Sequence, residues 1–228
     1  MRKIQRLIAV GAMAALAAVV GACSNAQAPA TGNQASAPTS EPAVPSSEAA
    51  TPTGGGVTKI SDIFGPACDQ IPKDGPGSPQ GMVNDPVATA ASHNPLLSTF
   101  TKALTVTNLV DTLNSAPELT VFAPAEPAFQ ALEAQHPGIL KELTTAQDVA
   151  SPNSKLAKIA TYHAVGKRYD AAGIVQAGTL DSLEGARIKI GGTAMAPTVN
   201  GATVLCGNIP TKNATVFVIG QVLSLPAS

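Results

Sequence analysis

Apolar residues recur with a helical period through the middle of the chain. Between residues 96 and 104, Leu97, Phe100 and Leu104 stand three and four positions apart, which places them on one face of a helix. Asp85 and Pro86 suit the N-cap and the first turn of a helix that follows them. Together these patterns predict helices at residues 87–92, 96–104, 106–113, 127–132 and 152–164.

Apolar and β-branched runs become more frequent toward the C-terminus. They predict strands at residues 119–123, 179–183, 187–190, 203–206 and 214–219. Asn200 and Gly201 favour a two-residue hairpin turn, because both positions of such a turn need a positive φ. Helices followed by paired strands predict an α+β fold with an antiparallel sheet assembly.

The N-terminus has the pattern of a bacterial lipoprotein signal. A basic start, an apolar run at residues 7–20 and two small residues precede Cys23. Cleavage would remove residues 1–22 and leave the Cys23 thiol to carry the lipid. The apolar run is shorter than the roughly 20 residues that a transmembrane helix needs. An ordinary secretory signal cut after Ala28 is the other alternative, and Pro29 disfavours cleavage there.

Composition divides the rest of the chain into a tether and one domain. Residues 23–56 comprise Cys23 and a linker that is rich in Ala, Pro, Ser and Thr. Such a segment has too little apolar surface to offset its ordering entropy, so we expect it to be flexible. Residues 57–228 have the length of a single domain.

The charge balance argues against nucleic acid as a partner. The whole chain has a formal net charge of -1. Cleavage of the signal would remove three basic residues and no acidic one, which leaves 11 basic against 15 acidic side chains and a net charge of -4. A mildly acidic protein has no electrostatic attraction to a phosphate backbone.

The chain has three cysteines, an odd number. If Cys23 carries lipid, Cys68 and Cys206 are left as a pair, and export places them where a disulfide persists. Closing so long a loop stabilises a fold by about 4–5 kcal/mol on the chain-entropy model. The alternative is two separate buried thiols.

Nothing in the sequence predicts an enzyme, a metal site or a cofactor. The three histidines are far apart and have no paired ligand spacing. The nucleophile motif Gly-x-Ser-x-Gly is absent from the sequence, and the glycine pairs match no phosphate-binding loop. Asn213 begins a formal N-glycosylation sequon, which a bacterial protein need not use.

Three segments resemble the fasciclin domain family. Residues 120–129 match its strand-then-helix motif, Tyr162 and His163 match its Tyr-His dipeptide, and residues 214–223 match its closing strand. The resemblance extends over residues 83–225. Within the family, the chain is most similar to single-domain mycobacterial members, which include surface lipoproteins and secreted antigens. The resemblance implies a wedge of two antiparallel-rich sheets packed with several helices, adhesion or surface display, and no known catalysis.

Two of the matching motifs depart from the family pattern. The first motif has Ala125, Glu126 and Pro127 where the family often has threonine and asparagine. The closing motif has Gly220 where aspartate is common. We expect these changes to weaken a local cap or turn without altering the fold.

Tyr162 and His163 are candidate interaction residues, because the resemblance links this dipeptide to integrin binding in animal members. The structural interpretation is a core histidine that is hydrogen-bonded to the backbone, with Tyr162 packed beside it. Lys167 and Arg168 form a neighbouring charged corner that could contact a partner.

The resulting hypothesis is a cell-envelope lipoprotein, held by lipid on the outer face of the membrane and partly shed. Its domain would act as a monomer in adhesion or surface interaction, by non-covalent contact with a host or matrix protein or an envelope component. The alternative is a carrier that binds a small apolar or lipid ligand, since the domain is rich in aliphatic residues and poor in aromatic ones.

Overall fold

Seven β-strands carry most of the β-branched and apolar runs of the domain. The computed structural model describes residues 56–226. Within them the strands are β1 (Leu119–Pro124), β2 (Ala164–Val165), β3 (Thr179–Asp181), β4 (Arg187–Thr193), β5 (Ala196–Val199), β6 (Ala202–Pro210) and β7 (Ala214–Ile219). They form one sheet in the order β2-β1-β7-β6-β5-β4-β3.

The centre of this sheet is the pair β1 and β7. All residues of both strands are buried, which is why their sequences are continuous apolar runs with little alternation. They pair in parallel, with Leu119 opposite Ala214 and Pro124 opposite Ile219. The other five pairings between named strands are antiparallel.

Strand β6 joins the two halves of the sheet. Its first residues, Ala202 and Thr203, pair with β5, and its remainder pairs with β7 across two register shifts. A bridge between Val165 and Ser182 brings the outer strands together, so the sheet is nearly a closed barrel. The predicted α+β class is confirmed, but the strands form one continuous sheet where two were expected, because β6 serves both halves.

The turn between β5 and β6 confirms the predicted hairpin. Asn200 and Gly201 have φ angles of 49° and 84°, the left-handed conformation that a two-residue turn requires. The residues on either side, Val199 and Ala202, are paired across it.

Eight α-helices lie between residues 79 and 177 of the described chain. They are α1 (Pro79–Met82), α2 (Val87–Ser92), α3 (Ser98–Val106), α4 (Val110–Ser115), α5 (Glu126–Gln135), α6 (Ile139–Thr145), α7 (Lys155–Tyr162) and α8 (Ala171–Ala177). The helix predicted at 106–113 begins later, because Asn108 adopts a left-handed φ of 56° and separates α3 from α4. The sequence interpretation missed α1, α6 and α8.

The predicted N-cap of α2 was wrong. Pro86 occupies that position in an extended conformation and makes no side-chain cap. Two distant side chains cap the helix instead. Val87 N donates to Asn213 Oδ1 at 2.9 Å, and Ala88 N donates to Asn114 Oδ1 at 2.9 Å. The first turn of α2 is therefore satisfied by residues far away in sequence.

Two main hydrophobic cores lie on the two faces of the central strands. Val121 and Val216 face the first core, with most of the helices. Phe122 and Phe217 face the second core, with β3, β4 and α8, and their ring centroids are 5.7 Å apart. Alternate residues of β1 and β7 thus supply both cores, as a two-residue strand period requires.

The predicted disulfide is present. Cys68 and Cys206 are joined and lie 138 residues apart in sequence. The bridge attaches the segment before α1 to β6, beside the isolated bridge between Phe64 and Gly207. Gly207 leaves the space for this contact, because a Cβ there would lie 2.6 Å from the Phe64 ring.

Candidate functional site

The Tyr-His dipeptide lies at the C-terminal end of α7. Ser154 is the N-cap of this helix, and its hydroxyl accepts a hydrogen bond from Ala157 N at 3.1 Å. His163 occupies the C-cap. Tyr162 and His163 are each only 1% exposed. The structure therefore places both candidate interaction residues inside the domain.

Tyr162 joins α7 to β4 and to the β5–β6 turn. Its hydroxyl donates to the carbonyl of Arg187 at 2.9 Å. The same hydroxyl accepts a hydrogen bond from Asn200 Nδ2 at 2.7 Å. Tyr162 thereby holds the start of β4 and the β5–β6 turn against the helix, and its ring fills part of the second core.

His163 joins α7 to the C-terminal segment. Its Nδ1 lies 2.7 Å from the carbonyl of Ile159, and its Nε2 accepts a hydrogen bond from Leu223 N at 2.9 Å. A carbonyl can only accept, so the proton belongs on Nδ1. Burial lowers the pKa of the imidazole to about 4, although the bond to Ile159 acts in the opposite direction. Both ring nitrogens of the neutral His163 are therefore occupied, which leaves none for proton transfer.

The two charged residues after β2, Lys167 and Arg168, have different roles. Lys167 is exposed, and its Nζ lies 5.0 Å from the centroid of the Tyr169 ring. Arg168 is half-buried and donates to the carbonyls of Thr211 and Ala214. Burial lowers the pKa of its guanidinium, and the charge of Glu118 opposes that shift. Arg168 fixes the corner to the β6–β7 turn, and Lys167 is the side chain offered to solvent.

Asn213, the sequon residue, is part of the interior. It is 8% exposed, and its Nδ2 donates to the carbonyls of Leu113 at 2.8 Å and Ala116 at 2.9 Å. Its Oδ1 caps α2. The amide that a glycan would need is thus engaged in joining α2, α4 and β7. Sequence reasoning missed this role, and no local signal marks it.

An apolar groove of about 330 Å³ lies above α7. Helices α5 and α6 form one wall, α7 forms the floor, and the segment after β7 forms the other wall. Leu132, Ile139 and Ile159 line it and are only half-buried. Lys155 and His136 stand at its rim and are exposed.

A comparison with known protein families assigns the chain. The family model of the fasciclin domain matches residues 95–226, which is more than half of the chain. The chain belongs to the fasciclin domain family. The matched region begins just before α3 and includes both the Tyr-His dipeptide and the groove, so all of these features belong to the fasciclin domain itself.

Two mycobacterial proteins are similar to most of this chain. Immunogenic protein MPB70 of Mycobacterium bovis is 41% identical over 174 residues, which cover 73% of this chain and 84% of that protein. Cell surface glycolipoprotein MPB83 of the same species is 41% identical over 175 residues, which cover 73% of this chain and 74% of that protein. These similarities confirm the predicted likeness to mycobacterial surface antigens of the fasciclin family.

A solved structure shares the fold. It is a FAS1 domain pair from the insect cell adhesion molecule fasciclin I, and it superposes with a TM-score of 0.55 at 19% identity. The superposition covers 64% of this chain and 52% of the pair, so the chain spans about half the length of that structure. At this identity the likeness shows the fold alone.

The two departures from the fasciclin pattern are accommodated. Glu126 Oε1 accepts a hydrogen bond from Thr99 N at 2.6 Å, and its Oε2 accepts one from Thr99 Oγ1 at 2.9 Å. Partial burial alone would raise the pKa of Glu126, but the hydrogen bonds from Thr99 and Ser98 outweigh it and lower the pKa. Glu126 thus caps α3, and Gly220 N donates to Thr203 O at 3.0 Å, which continues the pairing of β7 with β6.

The predicted lipidation site, Cys23, lies outside the described residues. Within residues 56–226, no helix is long and apolar enough to cross a bilayer. The anchoring of the chain through Cys23 therefore stays a prediction from the sequence.

Proposed function

We propose that this protein is a cell-envelope lipoprotein whose fasciclin domain mediates adhesion or another surface interaction by non-covalent contact. The observation that carries the proposal is the 41% identity, over 73% of the chain, to a protein named as a cell surface glycolipoprotein. The pattern of residues 1–23 supports export and lipid attachment at Cys23.

The contact surface that fits this function lies where the two ends of the sheet meet. We call it the junction surface, and its residues are Lys167, Tyr169, Asp181 and Leu183. They line a shallow depression of about 360 Å³ between β2 and β3. Leu183 is 44% exposed and stands among charged side chains. An exposed apolar residue between charged ones has the composition of a small protein-contact site.

The mechanism is contact without a covalent step. His163 has no free ring nitrogen, and Tyr162 uses its hydroxyl twice inside the domain. Neither residue can serve a substrate without breaking the packing of α7. Their role in adhesion is to hold the scaffold that presents the junction surface.

A cell-binding assay tests this function. Beads carrying the full mature chain are compared with beads carrying only residues 24–56, and binding to host cells and matrix proteins is counted. We expect binding above the linker control, and a clear loss with Leu183→Asp or Lys167→Glu. The exposed Lys158→Glu on α7 is the matched charge control. Equal binding by the linker beads would reject the adhesive function.

The anchoring is tested separately. Replacing Cys23 by serine is expected to release the protein from the membrane fraction into the medium or to block its processing, because the thiol that takes the lipid is lost. Fractionation of cells and mass spectrometry of the N-terminus measure this. A chain that keeps its signal and an unmodified Cys23 would contradict the lipoprotein assignment.

A further inference from the structure

We propose that the groove above α7 binds a single-chain amphiphile with an anionic headgroup, such as a fatty acid. The proposal names the class of ligand for the carrier function that the sequence offered as an alternative. It does not depend on the surface-interaction function. The first argument is the shape of the groove. Its volume of about 330 Å³ lies at the lower end of the range for small-molecule sites, roughly 300–1,000 Å³, which suits one chain.

The second argument is the chemistry of the walls. Among the lining residues that the structure describes, all are aliphatic apart from His136 and Lys155 at the rim and Ser224 in the C-terminal segment. Small-molecule sites are usually lined by both aliphatic and aromatic side chains, whereas a flexible hydrocarbon chain needs only apolar walls. The aliphatic lining therefore favours an acyl chain.

The third argument is that the lining is incompletely buried by folding. Ile139 and Ile159 are half-buried and rest on a small cluster that includes Leu143 and Leu156, apart from both main cores. Val222 and Leu225 on the opposite wall are also half-buried. Apolar area left open on both sides of a groove is available to a ligand, which gains affinity by covering it.

The fourth argument is the charge at the rim. Lys155 is exposed and makes no salt bridge with any residue in the described part of the chain. None of the described residues that line the groove carries a carboxylate. An exposed cation with no salt bridge among residues 56–226 favours a negatively charged headgroup, which Lys155 would meet when the hydrocarbon chain lies along Ile159, one helical turn further on.

One wall of the groove is held by the buried histidine. Leu223 lines the groove and is 3% exposed, and its N–H donates to His163 Nε2. The C-terminal segment is therefore fixed before a ligand arrives. A preformed wall avoids the entropy cost of ordering the segment on binding.

Calorimetric titration tests the proposal, with the Cys23→Ser chain so that no acyl group of its own competes. The probes are decanoate, dodecanoate and decyltrimethylammonium below their micelle concentrations. We expect one decanoate per chain. Dodecanoate should bind about 15-fold more tightly, since each added methylene gives about fourfold. Decyltrimethylammonium has the opposite charge and an alkyl chain one methylene longer than that of decanoate, and should still bind more weakly than decanoate.

Paired variants locate the site. Leu132→Trp fills the groove and should abolish decanoate binding, whereas Ala134→Trp, exposed on the same helix, should not. Lys155→Gln should weaken the affinity for decanoate about threefold, and Lys158→Gln should leave that affinity unchanged. Nuclear Overhauser effects from decanoate to the Ile139 methyl groups place the ligand without any variant.

Three results would overturn the proposal. They are the absence of saturable decanoate binding, decanoate binding that Leu132→Trp leaves intact in a folded protein, and equal affinity for decyltrimethylammonium. Each can occur while bead-displayed protein still binds cells, so failure of the groove and failure of the adhesive function are distinguishable.

Discussion

The two main cores and the groove differ in how completely their apolar side chains are buried. Phe122 and Phe217 in the second core are fully buried, whereas Leu132, Ile139 and Ile159 around the groove are half-buried. Full burial of the core side chains stabilises the fold. The groove leaves apolar area in contact with water, so this area contributes less to stability and is available for binding.

The polar groups of the two regions differ in the same way. Around the cores, Asn213 bonds to backbone groups of Val87, Leu113 and Ala116, and Tyr162 bonds to the Arg187 carbonyl and to the Asn200 side chain. At the groove, Lys155 is exposed and belongs to none of the salt bridges found among residues 56–226. Buried polar groups that lose a partner are costly, whereas an exposed cation can change partners freely. Substitutions in the two regions should therefore differ in their effects.

The largest expected effect is loss of the disulfide, because Cys206 lies in the first core. Reduction, or Cys68→Ser, should lower the free energy of unfolding by about 4–5 kcal/mol, since the open loop restores the entropy of the unfolded chain. Thermal unfolding with and without reductant measures this. The control is Cys23→Ser, which should leave the midpoint unchanged, and an unaltered midpoint after proven reduction would contradict the prediction.

A direct comparison of the two regions comes from truncating one residue in each. Phe217→Ala should destabilise the domain by about 4 kcal/mol, because it leaves a cavity against Phe122. Leu132→Ala should cost about 1 kcal/mol or less, because its side chain is already partly in water. Urea unfolding of both variants gives the difference. Similar losses at the two positions would mean that the groove belongs to the folding core.

Acidification tests the contact between α7 and the wall of the groove. The pKa of His163 is about 6.5 in the unfolded chain and about 4 in the folded one, so the unfolded state binds the proton more readily. The stabilisation is present in full above pH 6.5 and is lost as the pH falls from about 6.5 to about 4. The total is about 3 kcal/mol, from 1.4 kcal/mol per pH unit.

Unfolding free energies measured in urea between pH 7.5 and pH 4.5 check this window. His163→Gln should abolish the slope, and the exposed His136→Gln should retain it. Glu126, whose pKa is lowered from 4.5, contributes only below that pH. A flat profile above pH 4.5 in the unmodified protein would show that His163 is not buried as described.

An effect smaller than that of His163 is expected at Asn213. Asn213→Ala should cost about 2 kcal/mol, because Val87 N loses its cap and the carbonyls of Leu113 and Ala116 lose their donor inside the domain. The exposed Asn153→Ala should change stability by less than about 0.5 kcal/mol. Thermal unfolding distinguishes them, and equal midpoints would argue against capping of α2 by Asn213.

Much of the fold could be predicted because its signals are local. The strand at β7 and the hairpin at Asn200 and Gly201 follow from short runs and from one dipeptide. The short helices α6 and α8 were missed, although Asp170 and Gly178 are local cap signals at the two ends of α8. The roles of Asn213 and Glu126 were missed as well, because their partners lie elsewhere in the chain.

The same difference between local signals and distant contacts applies to the candidate site. The sequence could present Tyr162 and His163 as either structural or interacting, and the structure places both inside, bonded to backbone groups. Lys167 and Arg168 looked alike in sequence, yet Arg168 is bound to carbonyls of the β6–β7 turn and Lys167 is exposed. The groove had no signal at all, since its walls come from three helices and the C-terminal segment.

The amino-acid sequence alone determined the α+β class, the order of the main strands and helices, the family and the pairing of Cys68 with Cys206. These depend on periodicity, on short motifs and on a count of cysteines. Only the tertiary structure decided which groups cap the helices, which charged residues face water and where apolar area stays open. Those outcomes depend on contacts between residues that are far apart in sequence, in some cases by about a hundred positions or more. Local patterns do not encode such contacts.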